Sequence, residues 1–240
     1  MVPKLVWIGL LCTTLSGCAE LDQSLGRLGL PPLGQPALDE PSITAGLKEA
    51  LRIGASHAVT LTGNYDGYLR NPSIKILLPE QLQAFDKGLR LAGFGPQIDD
   101  FVISMNRAAE RAAPQARQIF LGAISQMTFA EARQILHGGA TAATDYFKAR
   151  TEDQLTAAFT PHVEQAMNET GVTRQYKELT GRLKALPLAK SDLLDIDQYV
   201  VRKSLDGLFL MLANEEREIR ANPSARSTAL LKQVFSARPR

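Results

Sequence analysis

From Ser42 to Phe235 apolar residues recur every three or four positions, and prolines and glycines cut the run into segments of helical length. A chain patterned this way buries its apolar stripes by packing helix on helix. Ile43, Leu47, Leu51, Gly54 and Ala58 make the first stripe, after a cap at Ser42. Pro79 opens a second helix bearing Leu82, Phe85 and Leu89, and Gly93 and Gly95 close it. A third starts at Pro96 with Ile98, Phe101, Met105 and Ala109 inward, and Pro114 must end or kink it, because a mid-helix proline lacks the needed N–H.

Two capping boxes follow, Thr128 with Glu131 and Thr151 with Gln154. His137-Gly138-Gly139 stops the helix between them. Gly171 stops the next, which carries Leu155, Phe159, Val163 and Met167 and is bent or divided at Pro161. Asp195 starts the longest candidate, with Val201, Leu205, Leu208 and Leu212 on one stripe, and Asn222-Pro223 opens a final helix through Phe235. Ser73 to Leu78 reads as an extended loop between prolines, or a short strand pairing at most. Only 6% of residues are aromatic, so alanine and leucine fill most of the core, which favours close helix packing over a sandwich. The expected fold is all-α, one compact bundle-like domain of about eight to ten helices over residues 42–236, with a tail at 237–240.

The chain ahead of this domain has a different character. Lys4 precedes a short apolar segment, Leu5 to Leu11, too short for a bilayer of about 30 Å. Leu15-Ser16-Gly17-Cys18 then resembles the bacterial lipobox, so residues 1–17 read as a lipoprotein signal peptide and Cys18 as the lipidation site. Residues 18–41 hold four prolines and three glycines and read as a tether, reaching at most about 75–80 Å. Ala19 after the cysteine, by analogy with the sorting rule of enteric bacteria, points to the outer membrane facing the periplasm. With Cys12 lost in the leader, Cys18 stands alone and no intramolecular disulfide can form. Lys4 leaves too, so the mature chain carries a net charge of +1 and gives no electrostatic ground for a nucleic-acid partner.

Several short segments carry a family resemblance. They include Asp66-Gly67-Tyr68-Leu69 with Asn71-Pro72, Ile76-Leu77-Leu78-Pro79, and Gly93-Phe94-Gly95 through Asp99-Asp100-Phe101. Ser104 to Glu110, Ala143 to Phe147, Leu205 to Phe209, and Ile219-Arg220 with Asn222-Pro223 extend it. From about residue 45 to 236 the chain resembles the bacterial domain of unknown function 4197. Membership implies no activity, although members often carry export or lipoprotein leaders.

A search for chemistry returns mostly exclusions. Gly54-Ala55-Ser56-His57-Ala58 misses the nucleophile elbow at its last position, and there is no phosphate loop and no His-Glu-x-x-His. His57, His137 and His162 lie apart without a second ligand at helical spacing, so neither a metal nor another cofactor is expected. The strongest polar constellation is Asp99, Asn106 and Glu110 on one helical face, with Asp100 and Arg107 beside them and Asp206 as a second acid. It reads as a hard-cation or acid–base site, as a solvated face, or as a buried Asn106–Arg107 network joining helices. The run Glu215 to Arg220 reads as a wet helix face.

The leading expectation is a lipid-anchored, non-enzymatic envelope protein that binds another protein or wall component. A second is a carrier or sensor of a small apolar ligand lined by Phe85, Phe94, Phe101 and Leu208. A third is a hydrolase using Asp99, Glu110 or Asp206, which requires those carboxylates within about 12 Å.

Overall fold

The computed structural model describes residues 40–171, 174, 176, 195–222 and 224, without the side chains of 81, 84 and 85. The chain divides into Met1–Asp39 and Glu40–Arg240, and the described residues belong to the second unit. The leader, Cys18, the tether and the helix expected after Pro223 lie outside them.

The described residues are all-α. Five long helices build the body: α1 (Glu40–Gly63), α3 (Gly95–Ala112), α4 (Ala116–Gln126), α6 (Ala142–Glu169) and α7 (Ile196–Ala221). Two short ones, α2 (Glu80–Leu89) and α5 (Phe129–His137), complete the set. Among the described residues that is fewer than the eight to ten expected, and one reason lies at Thr151. Its spacing to Gln154 imitates a capping box, yet nothing before it breaks a helix. The hydroxyl donates to the Phe147 carbonyl one turn back at 2.6 Å, and α6 runs undivided through Thr151 and Pro161. At 28 residues α6, not α7, is therefore the longest helix among the described residues. Likewise α1 starts at Glu40, ahead of the expected Ser42 cap, because Pro41 fits a first turn where its missing N–H has no bond to lose.

Other punctuation acts where expected. Gly93, at φ +92°, breaks the chain between α2 and α3 in a conformation that a side chain would strain. Pro114 sits in a 3₁₀ turn joining α3 to α4. Thr128 and Glu131 cap α5 reciprocally, and the Asp195 carboxylate accepts from the N–H groups of Asp197 and Gln198.

The core forms where α7 packs on α6 and α1, and α3 on α6. Phe120, Phe147 and Phe159 are buried at its centre, with Phe120 and Phe147 tilted at 5.0 Å between ring centres. Ala108, Ala109, Ala112, Ala113 and Ala116 have no exposed surface, so α3 and α4 approach their neighbours through small side chains. One close approach is tighter still. A Cβ placed on Gly207 of α7 would lie 2.6 Å from Tyr68 Cε1 and 3.1 Å from Ile74 Cβ. Gly207→Ala should therefore overpack this crossing and cost about 1–3 kcal/mol, read as a lower urea midpoint with unchanged helical circular dichroism.

Candidate functional site

Between α1 and α2, residues 64–79 form a strap without regular helix or strand. Asp66-Gly67, Asn71-Pro72 and Pro79 prevent a helix here, so the backbone groups need partners from elsewhere. Loops of this length inside compact domains are usually functional. This one is tied down on three sides.

Toward α3, Asn106 is fully buried. Its Oδ1 accepts from the Ile76 N–H at 2.8 Å, and its Nδ2 donates to the Ile76 carbonyl at 2.8 Å, as a neighbouring strand would. Glu110, also buried, accepts from the Tyr68 and Leu69 N–H groups at 3.1 Å through one oxygen. Its other oxygen takes the Arg107 guanidinium at 2.6 Å, and the second arm of Arg107 reaches Asp66 at 2.6 Å. Arg107 also lies 3.5 Å over the centre of the Tyr65 ring. Asp66 holds a left-handed φ of +67°, which aspartate tolerates better than most residues, and the Arg107 pair secures it there.

Toward α7, the Tyr68 hydroxyl donates to the Ser204 carbonyl at 2.6 Å and the Tyr199 hydroxyl to the Leu77 carbonyl at 3.0 Å. Toward α2, the Gln83 amide donates to the Leu78 carbonyl at 2.6 Å.

Burial, and next the charges of Glu110 and Asp206, push the Tyr68 phenol well above the usual tyrosine range. The unfolded phenol ionises near pH 10, as tyrosine ordinarily does. A raised folded value means that Tyr68 contributes stability fully below that pH and loses it as the pH climbs beyond. Urea midpoints should therefore fall between pH 9 and 11 in the wild type. Tyr68→Phe should lose about 1 kcal/mol at neutral pH and show a shallower alkaline fall.

The sequence constellation is thus split. Asn106, Arg107 and Glu110 meet in the strap network, together with Asp66, Tyr65 and Tyr68. Asp99 does not join them: eleven residues of one helix separate it from Glu110, a rise of about 16 Å, beyond the reach a shared substrate requires. Its exposed carboxylate pairs with Arg90 at 2.7 Å, and that hydrogen bond holds it below the usual carboxylate range. Asp100 is exposed on the same helix. Asp206 turns outward to Lys203 at 3.8 Å. Among the described residues no group of His, Cys, Asp or Glu could hold a metal ion.

The carrier lining also divides. Phe94 and Phe101 border an apolar cleft of about 80 Å³, whereas small-molecule pockets run to about 300 Å³ or more. Leu208 is buried in the core away from that cleft, and the Phe85 side chain lies outside the described residues. Two larger open grooves flank the strap. One, of about 460 Å³, lies against α7; the other, of about 960 Å³, lies against α2 and α3.

A second buried network overturns the wet-face reading at Glu216 and Arg220, while Arg217 and Glu218 are exposed. Glu216 and Arg220 are each 8% exposed and pair at 2.7 Å. Thr141 gives α6 no side-chain cap, and Glu216 supplies one from α7. Its oxygens accept from the Ala143 N–H at 2.9 Å and the Thr144 N–H at 2.8 Å. Arg220 meanwhile donates to the Ile135 and Leu136 carbonyls at the end of α5. Carboxylate at a helix start and guanidinium at a helix end both match the helix dipole. The signal was present in the stripe Leu205, Leu208, Leu212, Glu216, which places Glu216 inward at helical spacing. His57 is exposed and paired with Glu215 at 2.7 Å.

No helix among the described residues is long and apolar enough to cross a membrane. No curated protein and no solved structure matches the chain. A family model described as "Protein of unknown function (DUF4197)" matches residues 37–236. That span takes in every described helix and both buried networks, and the chain belongs to the DUF4197 family.

Proposed function

We propose that this protein is a lipid-anchored, non-enzymatic binding domain of the cell envelope, held by Cys18 in the outer membrane and presenting the strap to a partner protein. The observation that carries this reading is the engagement of Asn106, Arg107 and Glu110. Asn106 and Glu110 bond the strap backbone, and Arg107 links Glu110 to Asp66. Groups so occupied position a surface instead of transferring protons. The strap also carries Leu77, 55% exposed between the two grooves, where a partner can cover it.

The anchor rests on Leu15-Ser16-Gly17-Cys18 and on the energy of lipid burial. Each acyl CH₂ contributes about 0.8 kcal/mol, so more than one chain on Cys18 gives durable attachment. A photo-crosslinking amino acid at Leu77, in cells fed an alkyne fatty acid, tests both halves. Wild-type protein should take up the label and sediment with outer membranes, and Cys18→Ser should do neither. Leu77 should yield a discrete crosslinked product that the exposed α6 position Glu164 does not. An unlabelled wild type would remove the anchor, and identical products from both positions would remove the binding face.

A further inference from the structure

The strap is closed along its α3 edge and only partly bonded along the edge facing α7. In an extended chain the N–H and C=O of alternate residues point to opposite edges. Both backbone groups of Ile76 are taken by Asn106, so the edge facing α3 is closed. The neighbours on either side, Lys75 and Leu77, alternate with it, and the Lys75 N–H turns back to the Asn71 carbonyl at 2.8 Å. The Leu77 carbonyl accepts from Tyr199, which fixes that edge toward the groove along α7. There the Lys75 carbonyl and the Leu77 N–H have no hydrogen-bond partner among the described residues.

An acceptor on one residue and a donor two residues later form the complement of a parallel strand, in which one guest residue bonds both. The groove beside this pair is half-apolar. Leu77 and Leu210 are exposed, and Ile76 and Ile74 form its floor. Its charged lining comprises Lys75, Arg202 and Lys203 against Glu80 and Asp206. Asp206 turns to Lys203, and Lys75 acts on the Asp99 carboxylate without a direct ion pair, while Arg202 has no ion-pair partner among the described residues.

The geometry points to the Lys75–Leu77 edge as a docking strand for an extended peptide segment of a partner protein, one that carries an aliphatic residue flanked by carboxylates. The backbone pair gives register, Leu77 and Leu210 cover the aliphatic side chain, and Lys75 and Arg202 meet the carboxylates. This is strand addition to a single pre-ordered segment of the strap. Its ordering cost is already met by Asn106, Tyr199 and Gln83, so the guest alone has to be immobilised. The inference rests on the partner-binding reading above and names its mode.

The test uses the full chain in detergent micelles and a random twelve-residue peptide library displayed on phage. Selection should enrich peptides with acidic residues around an aliphatic one. The tightest synthetic peptide should slow exchange of the Leu77 amide at least tenfold. Lys75→Glu with Arg202→Glu changes only exposed side chains and should weaken that peptide tenfold or more. Leu77→Pro, which deletes the donor, should do the same, with circular dichroism checking that both variants fold.

No enrichment would overturn the proposal, as would peptides that bind both variants as tightly as wild type. Wild-type binding to phosphatidylglycerol vesicles that charge reversal abolishes and Leu77→Pro spares would also overturn it, by assigning the cations to lipid headgroups. Selected peptides with no lipid on Cys18 would sink the anchor and leave this edge standing. Crosslinks at Leu77 with no peptide selected would do the reverse.

Discussion

Glu110→Ala is expected to lower the unfolding free energy by about 3–5 kcal/mol, the usual cost of removing one partner from a buried ion pair. The loss has three parts. The Tyr68 and Leu69 N–H groups lose their acceptor, and the Arg107 guanidinium loses one of its two carboxylates. Arg107 keeps Asp66 and is partly exposed, which pulls the figure toward the lower end. Glu110→Gln separates these contributions. Its side-chain carbonyl can still accept from both strap amides, so only the ion pair is weakened and about 1–2 kcal/mol should go. Urea unfolding of the three proteins gives the comparison. Against a typical total of about 5–15 kcal/mol, the alanine variant should be visibly marginal.

Glu216→Ala should be comparably costly, at about 3–5 kcal/mol. Here the carboxylate caps a helix that has no cap of its own and neutralises a guanidinium only 8% exposed. Removing it leaves the first turn of α6 with unpaired N–H groups and leaves Arg220 charged in the interior. Replacing both partners, Glu216→Gln with Arg220→Met, removes the stranded charge and should cost less than the single alanine change. That ordering, read from urea midpoints, identifies the buried charge as the penalty. A double variant worse than the single one would place the cost in the packing around Arg220.

What the sequence disclosed follows from the range of the physics involved. Pro79, Gly93, Pro114 and the Thr128–Glu131 pair act within a few residues of themselves, so their effects on helix ends are legible without tertiary structure. Thr151 shows the limit of that reasoning. A capping box needs a chain that leaves helical geometry before it, and Lys148-Ala149-Arg150 offers no reason to leave. The polar face of α3 was only half legible. Spacing placed Asn106 and Glu110 together, but the strap covers only that end of the helix, and Asp99 is left in solvent. Their partners, Ile76, Tyr68 and Asp66, lie thirty or more positions away in a segment without periodicity, where no local pattern can point to them. Glu216 was misplaced for another reason. Charge suggests solvent, while its register with Leu212 and Leu208 points inward, and in the fold register outweighs charge because the start of α6 and the Arg220 guanidinium supply the carboxylate's bonds.

The central claim is that the buried amide and carboxylate of α3 serve to hold the strap rigid and leave its outer edge open. Site-resolved amide hydrogen exchange on the full chain tests this most directly. The Tyr68, Leu69 and Ile76 amides should be as slow as those of Met105 and Ala108 inside α3, while the Leu77 amide, one residue along the same strap, should exchange orders of magnitude faster. Tyr68, Leu69 and Ile76 exchanging at the rate of Leu77 would contradict the account, because the strap would then open without the domain unfolding.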